Sequence, residues 1–190
     1  VPYKIIVADD GSQAGTLPFL DEMLERGLIH NILFNKKIGT ARQFNEAIKS
    51  TEKPFVVMAN DDMYFHRGWD EAVLTLLTRE KRVGTITFYN YTRTGSSGTL
   101  CGDHYTIPAT GLGAALINKR GWENAGKFQL RPGKRMGYFA SAFCARMVES
   151  KLSHLVTVPF FADHMDLPTS KLNERRNLGK YILFRQKVKK

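Results

Sequence analysis

Residues 54–73 read PFVVMANDDMYFHRGWDEAV: an apolar run leads straight into Asn60, Asp61 and Asp62, and an amphipathic stretch follows. The run has the length and β-branched content of a buried strand, and WDEAVLTLLTRE after it has the apolar spacing of a helix. Two adjacent carboxylates at the end of such a strand repel each other, which calls for a compensating partner, most often a cation. Hard oxygen donors in this setting suit Mn2+ or Mg2+ bridging a diphosphate. The alternative is structural: an acidic residue ahead of GWDEAV would stabilise a helix N-terminus.

The same alternation extends on both sides. YKIIVADDGS reads as a short strand ending in acidic and turn residues, and LPFLDEMLERGL as a helix with Thr16 as N-cap, Pro18 in the first turn and Gly27 as its stop. HNILFN reads as a second strand, followed by a turn at Gly39 and a helix ARQFNEAIKS; PFVVMAN is the third strand. Strands and helices alternating at short spacing predict an α/β fold with a mostly parallel mixed sheet flanked by helices. Such sheets bind ligands at the carboxyl ends of their strands, where both DDG and NDD fall. Beyond Val83, β-branched and aromatic runs broken by Gly and Ser predict further strands around a flexible loop at 94–99. YFASAFCARMVESK then reads as a helix and HLVTVPFF as a strand ending at Asp163, His164 and Asp166. A single domain over residues 1–190 with a basic tail at 168–190 accounts for the whole.

The chain has 190 residues, 43% hydrophobic and 24% charged, ordinary for a globular protein with a substantial core. Its 28 Lys plus Arg against 18 Asp plus Glu give +10, which favours anionic partners: a nucleoside diphosphate, a nucleic acid, an anionic polymer or a membrane surface. No apolar run approaches the roughly 18–20 residues that span a bilayer, and no signal-peptide pattern opens the chain. The expectation is a cytoplasmic or virion-associated protein. Cys101 and Cys144 lie far apart without a CxxC or Cys/His cluster, so a disulfide framework or zinc ribbon is not expected.

Two more constellations carry chemistry. In Asp9-Asp10-Gly11-Ser12, a carboxylate at a strand end can accept from a nucleobase N–H or a ribose hydroxyl; the alternative is an Asx turn. In FADHMD, His164 follows a strand and stands between two aspartates, where imidazole can join carboxylates around a metal. His30, His66, His104 and His154 read as ordinary surface or core residues.

Taken in order, these segments resemble the family 2 glycosyltransferases of the GT-A fold. IIVADDGSQAGT is similar to that family's second strand and DDGS loop, and NKKIGTARQFNEAI to its helix start, through Asn35, Gly39 and Asn45. FVVMANDD is similar to the strand with the DxD-type metal motif, GLGAALINKRGWENAGKF to the acceptor-side segment ending in Gly126-Lys127-Phe128, and VPFFADHMD to the late Pro…His segment. The resemblance implies a transfer from a nucleoside diphosphate sugar, UDP-linked by expectation, to a hydroxyl of a glycan or protein, or of a hydroxylated base in DNA. It implies a nucleotide held by Asp10, Arg42, Asn60 and Asp61, with Arg175 and Arg176 (and Lys180) closing over the diphosphate, and Mn2+ or Mg2+ bound by Asp62 and His164. The family's first strand and helix would precede Val1, so the expectation is either an incomplete chain or an abbreviated fold. The acidic base of inverting members aligns with Phe139-Ala140, so Asp103 and Asp163 are the substitute candidates. The rival expectation is a GT-A-like nucleotide- or glycan-binding module without activity. A Rossmann dehydrogenase is disfavoured because no GxGxxG follows the first strand.

Overall fold

Helix boundaries follow from local residue chemistry. In the computed structural model, which describes residues 2–12, 15–88, 99–102, 104–107, 112–129, 137–158 and 161–164, strand β1 (Ile6–Asp9) leads to helix α1 (Thr16–Glu25). Thr16 is the first helical residue and Gly15 the cap, so the helix starts one residue earlier than the expected N-cap at Thr16 implies. The predicted stop holds: Gly27 has φ +67°, a conformation that favours glycine, and its N–H donates to the Leu24 carbonyl at 3.0 Å. Strand β2 (Asn31–Phe34) pairs in parallel with β1, and helix α2 (Thr40–Lys49) starts directly after Gly39.

Strand β3 (Phe55–Ala59), a short strand β4 (Met63–Phe65) and helix α3 (Trp69–Arg79) come next. Asp70 and Glu71 occupy the first turn of α3 and Arg79 its last, each complementing the helix dipole. Strands β5 (Val83–Thr87), β6 (Thr99–Cys101), β7 (His104–Ile107) and β8 (Ala114–Asn118) are followed by α4 (Lys119–Asn124) and α5 (Gly137–Glu149). Strands β9 (Ser153–Thr157) and β10 (Ala162–His164) complete the described chain. None of its helices is long and apolar enough to cross a membrane.

The main sheet has the order β3-β8-β5-β9-β7-β6. Of its five ladders among the described residues only β5/β9 is parallel; β3/β8, β5/β8, β7/β9 and β6/β7 are antiparallel. The expected mixed sheet flanked by helices is found, but its pairings are mostly antiparallel where mostly parallel ones were expected. Strands β3, β5, β9 and β6 do share one direction, but β8 and β7 are inserted against it. For β6 and β7 the cause is the two-residue connection at 102–103, which permits only an antiparallel hairpin.

Period-two alternation divides the core between the sheet's faces. Met58, Ala115 and Ile117 join Ala41 and Ile48 of α2, Trp122 of α4 and Phe143 and Met147 of α5 in one cluster. Val57, Ala114 and Leu116 turn to the other, with Val73 and Leu76 of α3, Ile86 and Leu155. Central β5 is buried along its whole length, as a strand covered on both sides must be.

Candidate functional site

The chain leaves β3 through a tight turn. Met63 N–H donates to the Asn60 carbonyl at 3.3 Å, so Asp61 and Asp62 occupy the two central positions, and Asn60 N–H is fixed on the Gly113 carbonyl at 2.8 Å. Asn and Asp are turn formers by their side-chain chemistry, which accounts for the local shape. The helix-capping alternative is set aside, because α3 begins only at Trp69, behind Gly68 as N-cap. Asn60 and Asp61 are exposed, whereas Asp62 is half-buried with its Oδ1 turned inside.

After the turn, β4 pairs antiparallel with β10, setting His164 opposite Met63, Asp163 opposite Tyr64 and Ala162 opposite Phe65. This ladder joins two sequence signals about a hundred residues apart: the His164 backbone lies one residue step from Asp62. Beneath it Phe65, Trp69 and Phe88 form a three-ring cluster with centroids 5.3–5.6 Å apart, anchoring β4 to the end of β5. On the outer side the Asp163 carboxylate meets His66 Nε2 at 2.9 Å. The sequence reading gives His66 no role, although the alternation Met63, Tyr64, Phe65, His66 signals a half-exposed strand.

At the end of β1 the two carboxylates do different work. Asp9 is buried, and its Oδ1 accepts from the N–H of Gly11 at 2.9 Å and of Ser12 at 3.0 Å, making the Asx turn. The Ser12 side chain, then these backbone donors, hold its carboxyl below the ordinary value against the opposing effect of burial. Asp10 reaches forward, and both its oxygens accept from Gly39 N–H at 3.0–3.1 Å. Gly39 has φ 87°, so glycine suits the last position before α2. Arg42 is exposed in the first turn of that helix. Asn35 Nδ2 donates to Gln43 Oε1 at 2.7 Å and Gln43 Nε2 to the Asp9 carbonyl at 2.8 Å, locking α2 onto the strand ends.

Asn45 ties α2 to the segment after α4. Its Oδ1 accepts from Trp122 Nε1 at 3.2 Å and Phe128 N–H at 3.0 Å, while its Nδ2 donates to the Phe128 carbonyl at 2.8 Å. Phe139 and Ala140, aligned with the family's acidic base, are buried in the core, Phe139 edge-on to Phe128. Asp103, Arg175 and Arg176 lie outside the described residues, as does the His164 side chain. Among the described residues no three His, Cys, Asp or Glu side chains converge as a ready metal cluster. The structure thus gathers Asp61, Asp62, Asp163 and the His164 backbone at one locus, and Asp10 with Arg42 at another, both at strand carboxyl ends.

The profile of glycosyl transferase family 2 matches residues 2–152. No curated protein sequence matches significantly. Among solved structures the chain is similar to GalNAc-T7 with UDP, GalNAc and Mn2+, at 12% identity over 85% of this chain and 37% of that one, TM-score 0.65. It is also similar to the mannosyltransferase PcManGT from Pyrobaculum calidifontis in complex with GDP-Man and Mn2+, at 17% identity over 82% of this chain and 45% of that one, TM-score 0.60. A third is TarS 1-349 of S. aureus in complex with UDP-GlcNAc, at 15% identity over 87% of this chain and 52% of that one, TM-score 0.60. The chain spans 37–52% of the length of these three, and at such identities the likeness is one of fold, the GT-A fold. With the profile covering most of its length, the chain belongs to glycosyl transferase family 2.

Proposed function

We propose that the chain transfers a sugar from a nucleoside diphosphate donor, UDP-linked by preference, to a hydroxyl acceptor, with a divalent metal at the turn after β3. The observation that carries this reading is the Asn60-Asp61-Asp62 turn with β10 laid beside it. The residues fit Mn2+ or Mg2+: a hard ion bridging a diphosphate is held by one or two carboxylates and takes its remaining ligands from phosphate and water. Asp62 would hold the ion directly, with His164 as its second protein ligand. When bound, the ion supplies positive charge against the departing diphosphate.

This chain's own residues do the rest. Asp10 accepts from the uracil N–H; a carboxylate offers about four acceptor positions, so the Gly39 contact leaves room for a ligand. Asn60 and Asp61 meet the ribose hydroxyls and the diphosphate, and Arg42 adds positive charge on that side. Arg175 and Arg176 serve the leaving diphosphate. Asp163, oriented by His66, is the carboxylate for the acceptor hydroxyl if the transfer inverts, with Asp103 the other candidate.

The test is calorimetry of UDP with and without Mn2+, alongside sugar release from UDP-sugars. Asp62→Asn is expected to lose most Mn2+-dependent UDP binding and all turnover while keeping the fold, since the change relieves like-charge repulsion. Unchanged metal-dependent binding in this variant would overturn the assignment. Metal-dependent binding by the parent without turnover of any sugar would leave a binding module.

A further inference from the structure

We infer that the outward face of the β4–β10 ribbon, formed by Tyr64, His66 and Asp163, binds the acceptor, and that the acceptor is a saccharide; this deepens the transferase reading and rests on it. Met63 and Ala162 on the ribbon's other face are buried, so the alternation turns Tyr64 and its partner Asp163 outward together. Tyr64 is 54% exposed, and the side chains of His66 and Asp163 are 46% and 55% exposed. The Tyr64 and His66 rings meet edge to face at 5.1 Å, and His66 Nε2 lies 2.9 Å from Asp163 Oδ2. An aromatic ring, an imidazole and a carboxylate are therefore held on one surface, two residues past Asp62.

Folding does not require this grouping. An exposed side-chain hydrogen bond contributes at most about 1 kcal/mol, and a tyrosine left open to water forgoes much of its burial gain. A pyranose matches the chemistry: its C–H face stacks on the electron-rich face of a tyrosine ring, and its rim of hydroxyls donates to the carboxylate and exchanges hydrogen bonds with the imidazole. A serine or threonine side chain has no C–H face of ring size. A nucleic acid brings phosphates, which an outward carboxylate repels.

The experiment is saturation-transfer difference NMR on the full chain with UDP and Mn2+. The probes are methyl β-D-glucoside, methyl β-D-galactoside, methyl α-D-mannoside and methyl N-acetyl-β-D-glucosaminide, with N-acetylserinamide and thymidine for comparison. Saturation is expected on the ring C–H protons of at least one glycoside. It should be lost in Tyr64→Ala, retained in Tyr64→Phe, and weakened about tenfold in affinity by Asp163→Asn, the effect of one charge-assisted hydrogen bond. Calorimetric UDP binding of the two Tyr64 variants, and the circular dichroism of all three variants, should match the parent. Absence of transfer to every glycoside, equal transfer in Tyr64→Ala, or transfer to the serine or thymidine probe alone would overturn the inference. Glycoside binding at this face by a chain that does not bind UDP would instead overturn the transferase reading and leave the saccharide face standing.

Discussion

Asn45→Ala is a sharp test of how helix α2 is held. The amide makes three hydrogen bonds, to Trp122 Nε1 and to both backbone groups of Phe128. Its partners are deeply placed: Trp122 is 0% exposed and Phe128 4%. Truncation removes three bonds at about 1 kcal/mol each and leaves three polar groups in a setting that water reaches poorly, so a loss of about 3 kcal/mol is expected. For a chain of this size that lowers Tm by about 6–12 °C. Urea unfolding followed by circular dichroism measures it directly. A double-mutant cycle with Trp122→Phe should return a coupling of about 1 kcal/mol, the share of the indole N–H, whatever the cavity cost of that substitution. A loss below about 1 kcal/mol, or no coupling, would refute the view that Asn45 joins α2 to the segment after α4.

Two further outcomes follow from named contacts. Asp10→Ala should lower stability by about 1–2 kcal/mol through the lost Gly39 contact, read from the urea midpoint, and weaken UDP binding by about 1–3 kcal/mol in calorimetry; unchanged UDP affinity would remove Asp10 from the nucleotide site. His154 is buried, with Nδ1 2.8 Å from Thr85 Oγ1 and Nε2 2.9 Å from the Cys144 carbonyl, and burial holds its pKa below the ordinary histidine value. The unfolded chain therefore takes up a proton that the folded chain does not. Its contribution is fully present above about pH 6.5 and is lost as pH falls below that value, by up to about 1.4 kcal/mol per pH unit. Urea midpoints between pH 8 and pH 5 should fall with this slope and flatten in His154→Gln; equal slopes in parent and variant would exclude His154 as the source.

Features set by neighbouring residues were legible in the sequence. The strand–helix alternation through α3, the stop at Gly27 and the placement of DDG and NDD at strand ends all follow from local spacing and turn chemistry. What escaped was non-local. Nothing within residues 83–118 announces that β8 inserts between β3 and β5, and this insertion is what makes the sheet mixed. The His66–Asp163 contact spans 97 residues and depends on the β4/β10 register, which neither segment specifies alone. In DDGS the family resemblance singles out Asp10 for the nucleotide, but only the fold gives the turn to Asp9 and the α2 contact to Asp10. Asn45 was visible through the family resemblance, but its joining role needed the position of Phe128.

The separate β1–β2 pair has a consequence for how a ligand would be felt. A two-stranded sheet is marginal alone, and among the described residues β1 and β2 pair only with each other. Helix α2 ties them to the rest, Gln43 bonding the Asp9 carbonyl and Asn45 the Phe128 carbonyl. Amide hydrogens of β1 and β2 should therefore exchange with solvent faster than those of β5, which is buried throughout. A nucleotide engaging Asp10 would stabilise a weakly held part of the described chain, and its binding would register as slowed exchange in these two strands.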